Sequence, residues 1–302
     1  MIEKKSGLAN NLLAQLDKLI RHNRQGSYKT RKRYIEAMRR FCVFVTETYR
    51  LQKLANIKGK HIEAYVAHMK EKGLSPSTIK TNLSGIRFWY DQIPSTSDKL
   101  PENSTLKLDR RKFREKERAW TQGKFNKMIC ICIEQEREDY AAILSLGRYA
   151  GLRIHECFRI DTSIALNALK NGEITIKGKG GLVRTVPINK NIKICLREML
   201  GKTTRGHKLF VPDNMPTHIA INKLQQFIAK HRGQIQSENS DVKLTFHGLR
   251  HLYACEKHSE FVKEDISEPE SRSSVSQLLG HKRGDVTNIY LTSLKRLEGF
   301  NE

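Results

Sequence analysis

Along the first ninety residues, apolar side chains return every three or four positions. Over 28–49, Tyr34, Ile35, Met38, Phe41, Cys42 and Val45 share one face, and over 59–71 Ile62, Tyr65, Val66 and Met69 do the same. A third stripe after Ser75-Pro76 carries Ile79, Leu83, Ile86, Tyr90 and Ile93. Serine there suits a helix cap, and proline suits the first helical position, where its missing N–H costs nothing. A weaker stripe over 9–22 adds a helix, so the pattern predicts a bundle of about four.

The pattern then breaks. Segment 94–119 opens with Pro94 and Pro101 among Ser, Thr and Asn and becomes densely charged, which reads as an interdomain linker. Beyond it, helices are predicted over 121–137, 139–150, 155–161, 190–200, 215–233, 245–258, 272–280 and 285–292. Between them, EITIKGKGGLVRTVPI places Ile174 and Ile176, then Val183, Val186 and Ile188, on either side of a glycine-rich turn, the signature of a β-hairpin. The predicted fold class is mainly α with a small β-sheet: residues 1–93 a helical domain, 94–119 the linker, 120–302 an α+β domain.

Charge narrows the partner. The 302 residues hold 55 Lys and Arg against 32 Asp and Glu, a formal net charge of +23. Residues 1–105 alone carry 20 basic and 9 acidic side chains. Such a surface attracts a nucleic-acid backbone by releasing counterions. Lys29, Arg31, Lys32 and Arg33 crowd one helix start, with Arg39 and Arg40 further on. Cations there oppose the helix dipole, so a function in DNA binding accounts for them better than stability does. Arg110, Arg111 and Lys112 in the linker are candidates to track phosphates. No apolar run is long enough to span a bilayer and the N-terminus has no signal-peptide core, so a cytoplasmic, nucleoid-associated protein is expected. The six cysteines lack zinc-ligand spacing and are expected to be reduced, buried thiols.

Four segments of the second domain carry candidate chemistry: Gly151-Leu152-Arg153-Ile154-His155-Glu156, the tip Lys177-Gly178-Lys179-Gly180-Gly181, His247-Gly248-Leu249-Arg250-His251, and Leu278-Leu279-Gly280-His281 with Tyr290 nine residues later. Each alone is weak, but together they fit phosphoryl transfer from a DNA phosphodiester to a protein hydroxyl. The transition state spreads negative charge over non-bridging oxygens, which two guanidiniums, Arg153 and Arg250, can clamp. Tyr290 is the candidate nucleophile. Lys179, with Lys177 as fallback, can protonate the leaving 5′ oxygen. His247 and His281 can take the tyrosine proton or hydrogen-bond a phosphate oxygen. His251 reads as structural, and Tyr149, Tyr253 and Trp89 as core aromatics. Neither a metal nor ATP is expected, since the histidines show no metal-ligand spacing and arginines supply the charge.

In these motifs the sequence resembles the tyrosine recombinase (phage integrase) family: GLRIHE, GKG, HGLRH, LLGH and the following tyrosine fill each family position with the usual residue type. The segment LSPSTIKTNLSGIRFWY resembles the family's SAM-like core-binding domain. The resemblance spans about residues 10–295. It implies a catalytic set of Arg153, Lys179, His247, Arg250, His281 and Tyr290, with Glu156 buttressing the clamp. It also implies a homotetramer on duplex DNA bearing inverted-repeat sites, with an accessory directionality factor as a further partner. Integration or excision of a mobile element is the implied reaction. Alternatives are relaxation by a type IB topoisomerase-like enzyme and a non-catalytic DNA-binding regulator. Two features depart from compact relatives: the long acidic stretch HSEFVKEDISEPESRSS, expected as an inserted loop, and only twelve residues after Tyr290, which leaves the protomer contacts open. Little chain precedes residue 10, so simple sites without arm-type elements are expected.

Overall fold

The computed structural model describes residues 7–23, 25–94, 96, 98–110, 118–178, 181–236, 242–280, 287 and 289–291. The chain divides into two compact units, the first ending at Phe113 and the second beginning at Arg114.

The first unit consists of α1 (Gly7–His22), α2 (Tyr28–Tyr49), a 3-10 turn (Leu54–Asn56), α3 (Gly59–Glu71) and α4 (Pro76–Tyr90). Ser27 and Ser75 cap α2 and α4 by accepting the backbone N–H of Thr30 and Thr78. The predicted stripes meet inside: Leu12, Leu16, Met38, Phe41, Cys42, Val45, Ile62, Ile79, Leu83, Ile86 and Trp89 form one buried cluster. Gly85 lets α4 lie close against α2, since a Cβ there would stand 3.0 Å from the Tyr34 Cα.

The expected linker is shorter than its composition indicates. Leu100 and Leu106 belong to the first unit's core. The Arg87 guanidinium donates to the Pro101 carbonyl (3.1 and 2.6 Å), the Tyr90 hydroxyl donates to the Asp98 carbonyl, and Lys80 donates to that of Asp109. Two apolar anchors in a polar segment are enough to fold it back onto the bundle, and helix α4 supplies the donors its backbone needs.

The second unit runs α5 (Gln122–Glu134), α6 (Glu138–Tyr149), α7 (Ile154–Cys157), α8 (Thr162–Asn171), β1 (Glu173–Lys177), β2 (Val183–Pro187), α9 (Lys190–Gly201), α10 (Thr217–Ile235), α11 (Phe246–Lys263) and α12 (Glu268–Leu279). The strands pair antiparallel, from Glu173 opposite Pro187 to Lys177 opposite Val183. Helices α6 and α11 are buried along most of their length and make the centre of the core. Among the described residues no helix is long and apolar enough to cross a membrane.

Several expectations are corrected. Helix α8 lies where the pattern predicts none: Asp161 caps it through the Ile164 N–H, Gly172 ends it in the left-handed conformation, and it buries Thr162, Ala165 and Ala168 with Ile164 and Leu169 packed beside them. The helix foreseen over 155–161 is only the short α7. The acidic stretch is not a loop: α11 continues to Lys263, α12 begins at Glu268, and Glu268 and Glu270 in the first turn of α12 complement its dipole. Within the hairpin the inward residues of β2 are Arg184 and Val186, while Val183 points outward and is 57% exposed. Of the thiols, Cys130 is exposed rather than buried and Cys195 half-buried.

Close packing of α6, the turn before α7 and α11 relies on glycine. Gly151 has φ +57°, and a Cβ there would strike the Tyr253 ring. Gly151→Ala is therefore expected to destabilise the second unit by about 2–3 kcal/mol, from left-handed strain plus displacement of a buried ring, as read by the urea midpoint of its unfolding.

Candidate active site

The site is assembled from the ends of elements. Arg153 precedes α7 and stays extended (φ −75°, ψ 147°), so its backbone N–H and side chain both reach forward to Glu156. The N–H donates to Oε2 (2.8 Å) and Nη1 donates to Oε1 (3.0 Å). Glu156 is completely buried, and Arg184 of β2 holds it from the other side, Nη1 to Oε1 at 2.9 Å and Nη2 to Oε2 at 2.7 Å. Burial pushes this carboxyl upward, but hydrogen bonding and charge from Arg184, with help from Arg153, outweigh it and hold the value down at about 2.

Arg250 is fully buried in α11. Its guanidinium donates to the carbonyl of Gly151 before α7 and to that of Leu279 at the end of α12, so it joins three elements. Burial, reinforced by the positive charge of Arg153, lowers its value to about 10, which leaves it cationic at neutral pH. The left-handed turn at Gly151 and the α12 terminus, which stops at a left-handed Gly280, aim those two carbonyls.

Tyr290 lies against α11. Its hydroxyl is 3.0 Å from Nε2 of His247, its ring stacks on His251 at 4.3 Å and 20°, and its carbonyl accepts from the Cys255 thiol at 3.3 Å. The Arg250 guanidinium carbon lies 5.7 Å from the ring centroid. Burial, then the charges of Arg250, Arg153 and Arg118, lower His247 to about 4. Neutral at pH 7, its Nε2 can accept the phenolic proton. Arg153 and His247 line a cleft of about 470 Å³ shared with Thr245, Phe246, Gln225 and Arg232. Arg153 and His247 open on this cleft, with the buried Arg250 and Tyr290 packed near His247, and two guanidiniums with a tyrosine bonded to a neutral imidazole can hold a phosphodiester and attack it.

Thus Arg153, His247, Arg250 and Tyr290 come together. Lys179 and His281 lie outside the described residues. Gly178 and Gly280, which directly precede them, pack respectively against Glu156 (a Cβ at Gly178 would be 3.2 Å from Oε1) and Arg184 (a Cβ at Gly280 would be 2.9 Å from Cδ). Lys177 is exposed, and its carbonyl accepts from Arg159. The sequence reading missed Arg184. The available signal was a charged residue at a strand position that alternates with outward-facing Val183 and Thr185.

In the first unit, Lys29, Lys32, Arg33 and Arg39 are exposed and Arg31 half-buried, all on α2. Arg31, Lys32 and Arg39 line a cleft of about 390 Å³ with Arg21, Tyr28, Ile20, Ile35 and Glu36, and Arg39 is bonded to Asp17 at 2.8 Å. Arg110 is exposed; Arg111 and Lys112 lie outside the described residues.

His251 carries a stability consequence. It is 2% exposed, and burial followed by the charge of His247 lowers it to about 3. The unfolded chain, with an ordinary histidine near 6.5, takes the proton first, so the stability from this group is full above about pH 6.5 and drains away as pH falls toward 3. By pH 5 the loss is about 2 kcal/mol. Urea unfolding at pH 7 and pH 5 should show it, and His251→Phe, which keeps a ring on Tyr290, should lose correspondingly less.

Comparison with known proteins places the fold and the family. A model of the phage integrase N-terminal SAM-like domain matches residues 12–98, and the phage integrase family model matches residues 120–296. Tyrosine recombinase XerC of Natranaerobius thermophilus is 22% identical over 298 residues, 94% of each chain. In three dimensions, the Tn1549 transposon integrase in complex with circular intermediate DNA superposes with a TM-score of 0.62 at 17% identity, over 95% of this chain and 99% of that one. A lambda integrase tetramer bound to a Holliday junction gives 0.63 at 16%, over 92% and 76%. Fold, site and matches define a class: DNA recombinases that cleave and rejoin strands through a tyrosine. The chain belongs to the phage integrase family.

Proposed function

We propose that Tyr290 is the nucleophile of this recombinase and that the cleft beside it receives the scissile phosphate. One observation carries the assignment: the Tyr290 hydroxyl is 3.0 Å from Nε2 of a neutral His247, with the Arg250 guanidinium carbon 5.7 Å from the tyrosine ring centroid. The tyrosine oxygen bonds to phosphorus as its proton passes to His247. The P–O bond to the 5′ oxygen breaks, and Lys179 protonates that oxygen, leaving a 3′-phosphotyrosyl link and a free 5′ hydroxyl. Arg153 and Arg250 take up the charge developing on the non-bridging oxygens, and His281 adds a hydrogen bond there. Attack by a partner strand's 5′ hydroxyl reverses these steps and exchanges strands, so the phosphotyrosyl bond conserves the energy of the broken one.

The substrate in this reading is duplex DNA with two inverted binding elements around a short crossover, gripped by Lys29, Arg31, Lys32, Arg33 and Arg39 of α2 and by Arg110, Arg111 and Lys112. The working assembly is a homotetramer, with a directionality factor biasing integration or excision of a mobile element in the cytoplasm, on the nucleoid.

The test uses a pool of nicked duplexes with a randomised segment. A nick beside the cleavage point lets a short fragment diffuse away, so religation fails and the adduct persists. A denaturation-resistant adduct, carried on Tyr290 and enriched for inverted elements, is the expected product. Attachment to another residue, or no adduct from an exhaustive pool, overturns the proposal.

A further inference from the structure

Arg184 occupies an inward strand position where the alternation of the hairpin calls for an apolar residue, as at Ile174, Ile176 and Val186. Burying a guanidinium there is expensive, and an apolar replacement of a buried ion pair is often neutral or stabilising. Packing alone therefore does not account for it, but its contacts do. Each oxygen of Glu156 accepts one hydrogen bond from Arg153 and one from Arg184. The Arg184 Nε also donates to the Leu278 carbonyl at 3.0 Å, next to the Leu279 carbonyl that holds Arg250. Gly178, leading into Lys179, packs on Glu156, and Gly280, leading into His281, packs on Arg184. Three of the four motif segments thus touch a single buried ion pair, and the fourth, through Arg250, bonds the carbonyl next to the one that Arg184 holds.

Building on the phosphate-clamp reading above, we infer that Arg184 is the positioning residue of the clamp: it neutralises and fixes Glu156 so that Arg153 keeps its net charge and its remaining donors for the scissile phosphate. Arg153 spends one side-chain N–H on Glu156 and stays partly exposed, at 24%, toward the cleft. Without Arg184 the carboxylate has only Arg153 to neutralise it, so the clamp loses charge and orientation together. A lysine restores the charge but not the two-pronged grip or the bond to Leu278.

The experiment compares two forms of the nicked duplex recovered from the random pool, one with the natural scissile phosphate and one with a methyl group replacing a non-bridging oxygen. The methylphosphonate is uncharged and asks little of a cationic clamp. At saturating DNA, Arg184→Gln is expected to cleave the natural substrate roughly 10²-fold more slowly than the unaltered chain, with DNA affinity unchanged. On the methylphosphonate the gap should close to about threefold, as it should for Arg153→Ala, with Arg184→Lys intermediate. Both rates come from the same folded protein, so partial unfolding cancels in their ratio. If Arg184→Gln does not fold, the same comparison is made with Arg184→Lys, whose smaller loss on the natural substrate should likewise close on the methylphosphonate. Equal losses on both substrates, or full activity on the natural one, overturn the inference. Failure of the unaltered chain to form a Tyr290 adduct would instead strike the nucleophile assignment, so the two failures are told apart.

Discussion

Tyr290→Phe should leave no covalent protein–DNA adduct, with cleavage of a nicked suicide duplex lowered on the order of 10⁴-fold or more. The substitution removes one oxygen. The ring can still stack on His251, and the backbone carbonyl still accepts from Cys255, so the surroundings of the nucleophile persist. What goes is the proposed attacking atom and its 3.0 Å bond to His247. DNA affinity, which we propose rests on cations elsewhere, should change by less than about threefold. An adduct that persisted would have to come from another residue, and mapping it would identify the true nucleophile.

The second large effect separates the two arginines of the clamp. In sequence they are equivalent guanidiniums; in the structure they are not. Arg250 is completely buried and satisfies carbonyls of two other elements, whereas the Arg153 side chain is 24% exposed and its immediate partner, Glu156, is also held by Arg184. Arg250→Ala is therefore expected to abolish cleavage and to destabilise the second unit by about 3 kcal/mol, through the cavity and the two carbonyls left without a donor. Arg153→Ala should lower cleavage on the order of 10²–10³-fold, the cost of losing one preorganised donor to the developing charge. Its stability should fall by no more than about 1 kcal/mol. Parallel urea titrations and single-turnover cleavage of the two variants test the contrast. Equal stability for both would show that Arg250 is no structural keystone.

The reading of individual residues follows the same division. The bundle helices were legible because their stripes are long, regular and bounded by Ser-Pro or glycine signals. Helix α8 was not, because it is short, its fully buried residues are two alanines and a threonine, and its Leu166 faces outward. Segment 98–110 looked like a solvated linker by composition, yet two leucines and an arginine on α4 fold it down, an outcome that depends on where α4 places its donors. The acidic stretch after Arg250 reads as loop because its charges mask the ends of two helices. Arg184 escaped because hairpin register, and with it which residue faces inward, changes with a shift of one position.

Sequence alone carries the chemistry available to this protein: an ordered set of arginine, lysine, histidine and tyrosine in short motifs, a helical unit rich in cations, and membership of a family built on that order. Local pattern suffices there because helix stripes, caps and turns are written within a few residues of each other. Only the tertiary structure decided how the set is held. It buries one arginine and leaves the other facing the cleft, brings Tyr290 to His247 across 43 positions of chain, and neutralises Glu156 with an arginine 28 residues away. Those are properties of packing, where desolvation and the pairing of buried charges act between residues that have no neighbourhood in the sequence.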